Sequence, residues 1–358
     1  DDGRVVGGGS AFSFSMTVPG GREVACGGVT MVGVLPTHRR RGILRELMAQ
    51  QLADIKRRGE PIAALWASEG SIYQRFGYGL ATTNGTVDVA RDRATFRTPV
   101  EPSGTFELVS VDEARPAILE VYDKVRAATP GFYRRHDRWW DVLLSDPEFR
   151  RHGASKRFNL VHRRDGKPVG YLLYRIRDDW QPTGPANRLV VLEMLGVDPE
   201  AIRQLWRYAF GVDLMGSIFA RLGPADHPLM LLIAEPRRLQ FRIGDGMWVR
   251  IVDVPAALAA RGYSADGSLV LDVSDAFMPD VAGRWRLTVE AGVATVEPTT
   301  HPADIALEVA DLAAAYMGAF RFTSLGRAAR TTELTDGAWT RADAMFASAV
   351  PAWCPEVF

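Results

Sequence analysis

Residues 32–48 read V-G-V-L-P-T-H-R-R-R-G-I-L-R-E-L-M, and residues 64–78 read A-L-W-A-S-E-G-S-I-Y-Q-R-F-G-Y. The β-branched positions of Val29 to Leu35 predict a buried parallel strand. After Gly42, residues Leu44, Leu47, Met48, Leu52 and Ile55 recur at helical spacing on one face, so Gly42 opens a helix. Lys56, Arg57 and Arg58 fall in its last turn, Gly59 suits the left-handed position beyond it, and Pro61 forbids continuation. A second strand follows at Ile62 to Ser68. The order strand, basic glycine turn, helix, strand therefore organises the stretch around one turn.

That turn suits an anion. A helix N-terminus presents unpaired N–H groups and a partial positive charge, and a glycine there lets a phosphate approach. Arg39, Arg40 and Arg41 add forked donors for phosphate oxygens. Taken alone, H-R-R-R-G reads equally well as a solvated basic turn. Its position between a strand and an amphipathic helix favours the ligand site.

R-R-R-G-I-L resembles the acyl-CoA pyrophosphate loop of GCN5-related N-acetyltransferases, in which Arg or Gln, two residues, Gly, one residue and Gly or Ala follow in order; Leu44 departs at the last position. The longer strings P-T-H-R-R-R-G and A-S-E-G-S-I-Y-Q-R-F-G-Y-G are similar to the enhanced intracellular survival (Eis) family of that superfamily. The resemblance implies an α+β (mixed α/β) architecture: tandem acetyltransferase folds followed by a sterol carrier protein 2-like domain.

It also implies a site. In such enzymes two neighbouring strands splay, here those of Val29 to Leu35 and Ile62 to Ser68, and the pantetheine arm of acetyl-CoA enters the gap. Val32, Gly33 and Val34 would supply the freed backbone groups that the arm must satisfy. Arg39, Arg40, Arg41, Gly42, Ile43, Leu44 and Arg45 would wrap the pyrophosphate. Ser68 and Glu69 would lie near the far end of the arm, although by themselves they read as a helix start. Tyr73 matches the tyrosine that protonates the departing thiolate, whereas an aromatic there is otherwise more often core. The terminal carboxylate of Phe358 matches the family's general base, a role that chain ends, which usually fray, do not suggest unaided. Trp66 and Glu356 are the acceptor-side candidates, with Glu69, Glu356 and the chain terminus expected to make an acidic pocket that attracts polyamines.

The chemistry requires a neutral amine, since an ammonium has no lone pair for the thioester carbonyl. A terminal carboxylate, with an ordinary pKa near ~3.5 against about 10.4 for an alkylamine, is a weak base that works through water unless desolvation raises it. Direct attack in a ternary complex is the simplest route; an acetyl-cysteine intermediate on Cys354 is the rival.

The rest of the composition excludes other classes. With 358 residues, 47% hydrophobic, 24% charged and zero net charge, the chain reads as an ordinary soluble globular protein of two or three domains and not as a nucleic-acid binder. Cys26 and Cys354 are too few for a disulfide scaffold, and the six histidines lack ligand spacing, so no metal is expected. No apolar run approaches the roughly 20 residues of a membrane helix and D-D-G-R is no signal peptide, so a cytoplasmic location away from the membrane is expected.

Three regions are expected. Residues 1–84 form the acetyltransferase domain with the acetyl-CoA site, Val5 to Val18 being read as its second and third strands; so little chain precedes the donor strand that the start of the domain is expected to be missing. Residues 85–249 repeat the architecture, with a hairpin about Asp165-Gly166, a strand at Leu189 to Leu195 and a helix near Pro199 to Phe210. Asp198 and Glu200 at that helix start would repel a pyrophosphate, so this copy binds no CoA, and Trp139, Trp140 and Trp206 pack its core. Residues 250–358 resemble the sterol carrier protein 2 fold and deliver the tail.

The expected function is acetyl transfer from acetyl-CoA to amines of aminoglycosides, hence antibiotic resistance, or of other polyamines. A protein lysine acetyltransferase and a non-enzymatic CoA- or lipid-binding module are the alternatives, and the resemblance suggests a homohexamer.

Overall fold

Strand β1 (Gly7–Val18) turns through Gly20 and Gly21, at φ 85° and 69°, into the long strand β2 (Arg22–Val34). The expected pair of strands within Val5 to Val18 is thus a single strand, and its partner starts seven residues before Val29. The early glycines mark close packing rather than turns: a Cβ at Gly7 would stand 3.1 Å from the Gly33 carbonyl oxygen and one at Gly9 2.8 Å from the Gln51 amide. The chain then forms helix α1 (Ile43–Arg57), strand β3 (Ile62–Trp66), the short helix α2 (Gly70–Tyr73) and strand β4 (Gly79–Leu80). The structure describes residues 3–358 of the computed structural model.

Helix α1 buries Met48, Leu52 and Ile55. Gly42, in the left-handed region at φ 84°, caps it and is not its first helical residue. At the other end Gly59 N–H reaches Lys56 O at 2.9 Å and Glu60 N–H reaches Ile55 O at 3.2 Å, the paired bonds that a left-handed glycine permits beyond a helix.

The first sheet has five strands in the order β1-β2-β3-β5-β4, where β5 is Met247–Ile251, from far later in the chain. By contacts, one unit comprises the described residues up to 83 with 128–133 and 245–358, and the other comprises 84–127 and 134–244. The expected boundary at 249/250 falls inside β5, whose Val249 stands opposite Ala64 of β3.

The second unit is built on a seven-stranded sheet. Its hairpin of Phe158–Arg164 and Lys167–Arg177 turns at Asp165 and Gly166, with φ 52° and 74°. Strand Asn187–Gly196 leads to helix Pro199–Gly211, which Asp198 caps by accepting the Ala201 N–H at 2.8 Å. Asp198 also pairs with Arg164, so its charge is already engaged. Trp140 and Trp206 are buried and Trp139 is half-buried.

The C-terminal part carries a five-stranded sheet, with a hairpin of Gly283–Glu290 and Val293–Pro298 turning at Ala291 and Gly292. Its central helix α3 (Val309–Tyr316) is buried along its whole length. Two further short helices, Val254–Ala260 and Phe322–Arg327, lie in this part and were not expected.

Candidate active site

Parallel pairing between β2 and β3 is confined to three positions: Cys26 opposite Ile62, Gly27 opposite Ala63 and Gly28 opposite Ala64. Beyond them β3 keeps its other neighbour, with Leu65 opposite Trp248 and Trp66 opposite Met247, while β2 keeps only β1. The two arms therefore diverge from Gly28. A bulge in β2 accompanies the divergence. Thr30 faces Ser10 and Gly33 faces Gly8, so Met31 and Val32 share Gly9, with Met31 at φ 53°. Val29 to Leu35 is thus not the fully buried parallel strand expected: beyond Val29 it alternates between half-buried and exposed, because it is one open arm of the gap.

A cavity of about 780 Å³ occupies this region. It is lined by Val32, Gly33 and Val34 of β2, by Arg39, Arg40, Gly42, Ile43, Leu44 and Arg45 of the turn and α1, and by Ser68, Glu69 and Tyr73. Every candidate donor residue lines it except Arg41, whose Nη2 donates to Thr37 O at 3.3 Å and so braces the turn.

The basic end is electrostatically open. Among the described residues, Arg39, Arg40 and Arg45 have no carboxylate partner; Arg45 instead rests over the Phe277 ring at 5.0 Å. The first bond of α1 runs from Glu46 N–H to Gly42 O at 3.1 Å, so the N–H groups of Ile43, Leu44 and Arg45 precede the helical ladder. Nothing lies within 4 Å of a Cβ built on Gly42, so it is the positive φ, and not crowding, that favours glycine there. Leu44, the departure from the loop pattern, packs partly buried against the core of Met48, Leu52 and Leu65. Its side chain is thereby directed to the core.

Tyr73 is 8% exposed, and its hydroxyl makes no hydrogen bond among the described residues. Burial pushes its phenol above the ordinary value. Its ring meets Tyr78 edge-on at 6.0 Å. His38, Ile72, Arg75 and Phe76 also line the cavity and were not singled out from sequence, although all four fall within the quoted motifs.

The tail is anchored at several points. Trp353 N–H donates to Pro130 O at 3.1 Å, and Gly131, at φ 96°, passes so close that a Cβ would meet the Trp353 carbonyl oxygen at 2.5 Å. The Tyr133 hydroxyl donates to Glu356 Oε2 at 2.7 Å. The Phe358 ring stands edge-on to Phe14 at 4.9 Å and to Tyr133 at 5.7 Å, and those two rings stack at 4.2 Å. Phe14 covers Gly28, where a Cβ would lie 2.1 Å from its ring, while Gly27 faces Ile55 of α1. Phe358 is therefore attached, through Phe14, to the point where β2 and β3 part, on the face opposite α1.

Glu69 lines the donor cavity, whereas neither Glu356 nor Trp66 does. The Trp66 indole N–H is buried without a partner. Cys354 is buried and its thiol donates to Glu356 O at 3.2 Å; Cys26 is buried, and that burial pushes its thiol well above the ordinary value. Neither cysteine lines the cavity. Among the described residues no group of three or more His, Cys, Asp or Glu is placed to hold a metal.

A splayed sheet edge with a basic helix N-terminus at one end and a tyrosine at the other defines a CoA-dependent acyltransferase of the GCN5-related class. Residues 1–81 and 131–251 each match an acetyltransferase (GNAT) domain family, and residues 254–355 match a sterol carrier protein domain. An uncharacterized N-acetyltransferase of Streptomyces avermitilis is 44% identical over 100% of this chain and 88% of its own length. N-acetyltransferase Eis of Mycobacterium tuberculosis is 38% identical over 97% of this chain and 84% of its own. The crystal structure of Eis1 from Mycobacterium abscessus superposes with a TM-score of 0.86 at 34% identity, covering 100% of this chain and 89% of that one. The chain belongs to the Eis family of GCN5-related N-acetyltransferases and is an acyltransferase enzyme. Among the described residues no helix is long and apolar enough to cross a membrane.

Proposed function

We propose that the protein transfers the acetyl group of acetyl-CoA to amines of aminoglycosides or related polyamines by direct attack. The observation that carries this reading is the one cavity lined both by the arginine-bearing N-terminus of α1 and by Tyr73, beside the arm of β2 that has parted from β3. The lining of that cavity supports a donor lying with its pyrophosphate on Arg39, Arg40, Ile43, Leu44 and Arg45. Its pantetheine amides then meet the backbone of Val32, Gly33 and Val34, and its thioester points toward Tyr73.

In this reading the neutral amine forms the new C–N bond as the C–S bond breaks, Tyr73 gives its proton to the leaving sulfur, and the Phe358 carboxylate receives the amine proton, through water. Burial raises the Tyr73 phenol above its ordinary value, which disfavours full transfer of its proton to the sulfur. Tyr73 therefore acts first as a hydrogen-bond donor to the developing charge, which its unpaired hydroxyl is free to do. The burial of both cysteines favours direct attack over an acetyl-cysteine intermediate.

The test is thiol release and product mass with acetyl-CoA and a panel of aminoglycosides, with a lysine peptide alongside. One or more acetyl groups on the drugs is the expected result. Turnover of the peptide alone would replace the polyamine with a protein acceptor, and turnover unaffected by both Tyr73→Phe and removal of Phe358 would overturn the assigned roles.

A further inference from the structure

A second cavity, of about 310 Å³, shares no lining residue with the donor site. Helix α3 lies directly against β4 at its edge, since a Cβ on Gly79 would stand 1.8 Å from the Ala310 carbonyl oxygen. Leu80, Trp248, Ala314 and Leu325 give it apolar walls, and Tyr78 and Asp311 are its buried polar members.

Among the described residues, each of those two holds an oxygen with no protein partner. Tyr78 is fully buried and its hydroxyl is unpaired. Asp311, 4% exposed, accepts from Arg330 Nε at 2.9 Å through Oδ1, while its buried Oδ2 has no partner. Such atoms are costly to bury unless something bonds to them. Arg330 also lines the cavity and stands 3.7 Å from Glu308, which is exposed and lies outside it, so Asp311 is the one carboxylate among the lining residues. Burial raises the Asp311 carboxyl, as expected of a carboxylate with one oxygen unpaired.

We propose that this cavity is a second binding site, taking a small amine with an apolar one- or two-ring body whose ammonium bonds to Asp311 Oδ2. The Tyr78 hydroxyl supplies the second polar contact, and the rings pack on Trp248 and Leu325. The volume lies at the lower end of the range for small-molecule pockets, roughly 300–1,000 Å³, which suits one or two rings and excludes a multi-ring polyamine. The site is independent of the acceptor of the acetyl group. It also reaches the donor side, because Tyr78 meets the Tyr73 ring edge-on.

The probe is tryptamine, titrated by calorimetry into the intact protein saturated with CoA, beside 3-ethylindole, which keeps the rings and lacks the ammonium. One equivalent of tryptamine is expected to bind, with 3-ethylindole and the Asp311→Asn variant each weaker by at least ~10-fold, as for loss of a hydrogen bond to a charged group. Ala314→Met, which fills the cavity conservatively, should abolish binding while CoA affinity stays unchanged; that unchanged affinity certifies the fold. No binding at millimolar tryptamine, or binding indifferent to both Ala314→Met and Asp311→Asn, would overturn the proposal.

Discussion

The Tyr133 hydroxyl and the Glu356 carboxylate, 223 positions apart in sequence, meet in a 2.7 Å hydrogen bond that fixes the tail two residues before Phe358. The bond belongs to a set: Pro130 O receives Trp353 N–H, and the Tyr133 ring holds both Phe14 and Phe358. Tyr133→Phe keeps the ring stack and removes only the hydroxyl. Hydrogen bonds to charged groups contribute about 1.5–3 kcal/mol, and half-exposure of Glu356 places this one at the lower end. A fall of about tenfold in kcat/KM with unchanged CoA affinity is expected in steady-state kinetics. A variant indistinguishable from the parent would show that the tail holds its place without this bond.

What the sequence displayed and what it hid divide along local and long-range lines. The glycine turn, α1 and its caps are local, and Gly42, Gly59 and the spacing of Met48, Leu52 and Ile55 were enough to place them. The turn at Asp165-Gly166 was legible for the same reason, since it needs positive φ. The strap at residues 128–133, which holds the tail, carries no pattern marking it as part of the first unit, because its role consists of contacts with β1 and residues 353–358. Equally hidden was β5: Met247–Ile251 reads as one more apolar strand, and nothing in it says that Val249 stands opposite Ala64.

Arg40 and Arg41 should behave differently on replacement. Arg40 lines the donor cavity without an acidic partner, whereas Arg41 does not line it and is tied to Thr37 O. Arg40→Ala should weaken CoA by about tenfold, near the worth of one charge-assisted bond, and flatten the salt dependence of binding. Arg41→Ala should change affinity less than threefold, roughly the effect of a surface substitution, within about 0.5 kcal/mol. Calorimetry at two salt concentrations checks both; equal losses would mean that the turn rearranges on binding.

Tyr73 sets an expectation for pH. A group that works protonated, and whose phenol burial has raised, keeps its proton through neutral and moderately alkaline solution. Loss of activity from this group should begin only above about pH 10, its ordinary value. Tyr73→Phe should cut kcat by ~10²–10⁴, the usual range for a positioned general acid, and remove that alkaline limb. An alkaline limb that survives in the variant would assign it to another group.

In the second unit, His227 links stability to acid. Its ring lies between Trp206 and Phe241, Nδ1 accepts the Leu229 N–H at 3.2 Å, and burial pushes its pKa down to about 4. Because the folded value lies below the ordinary ~6.5, protonation favours the unfolded chain. The contribution is complete above about pH 6.5 and is lost as pH falls toward 4, by up to ~3 kcal/mol. Urea unfolding of the parent and of His227→Asn, which keeps an acceptor but cannot titrate in this range, should diverge through that window. Parallel curves would remove His227 as the cause.

Asp275 connects a buried ion pair to the donor site. Its Oδ2 pairs with Arg250, whose side chain is fully buried, while Oδ1 accepts the N–H groups of Phe277 at 3.0 Å and Met278 at 2.9 Å. Phe277 in turn supports the Arg45 guanidinium and meets Phe76 edge-on at 4.9 Å. Asp275→Ala removes three bonds and strands a buried positive charge, for which about 3–5 kcal/mol of destabilisation is expected. Replacing both partners with apolar residues, Arg250→Met with Asp275→Leu, should recover most of that stability, because no charge is left unpaired. The double variant still lacks the acceptor for the Phe277 and Met278 N–H groups, so CoA affinity should stay several-fold weak after stability returns. Denaturation and CoA titration on the same three proteins separate the two effects, and affinity restored together with stability would mean that Asp275 serves the fold alone.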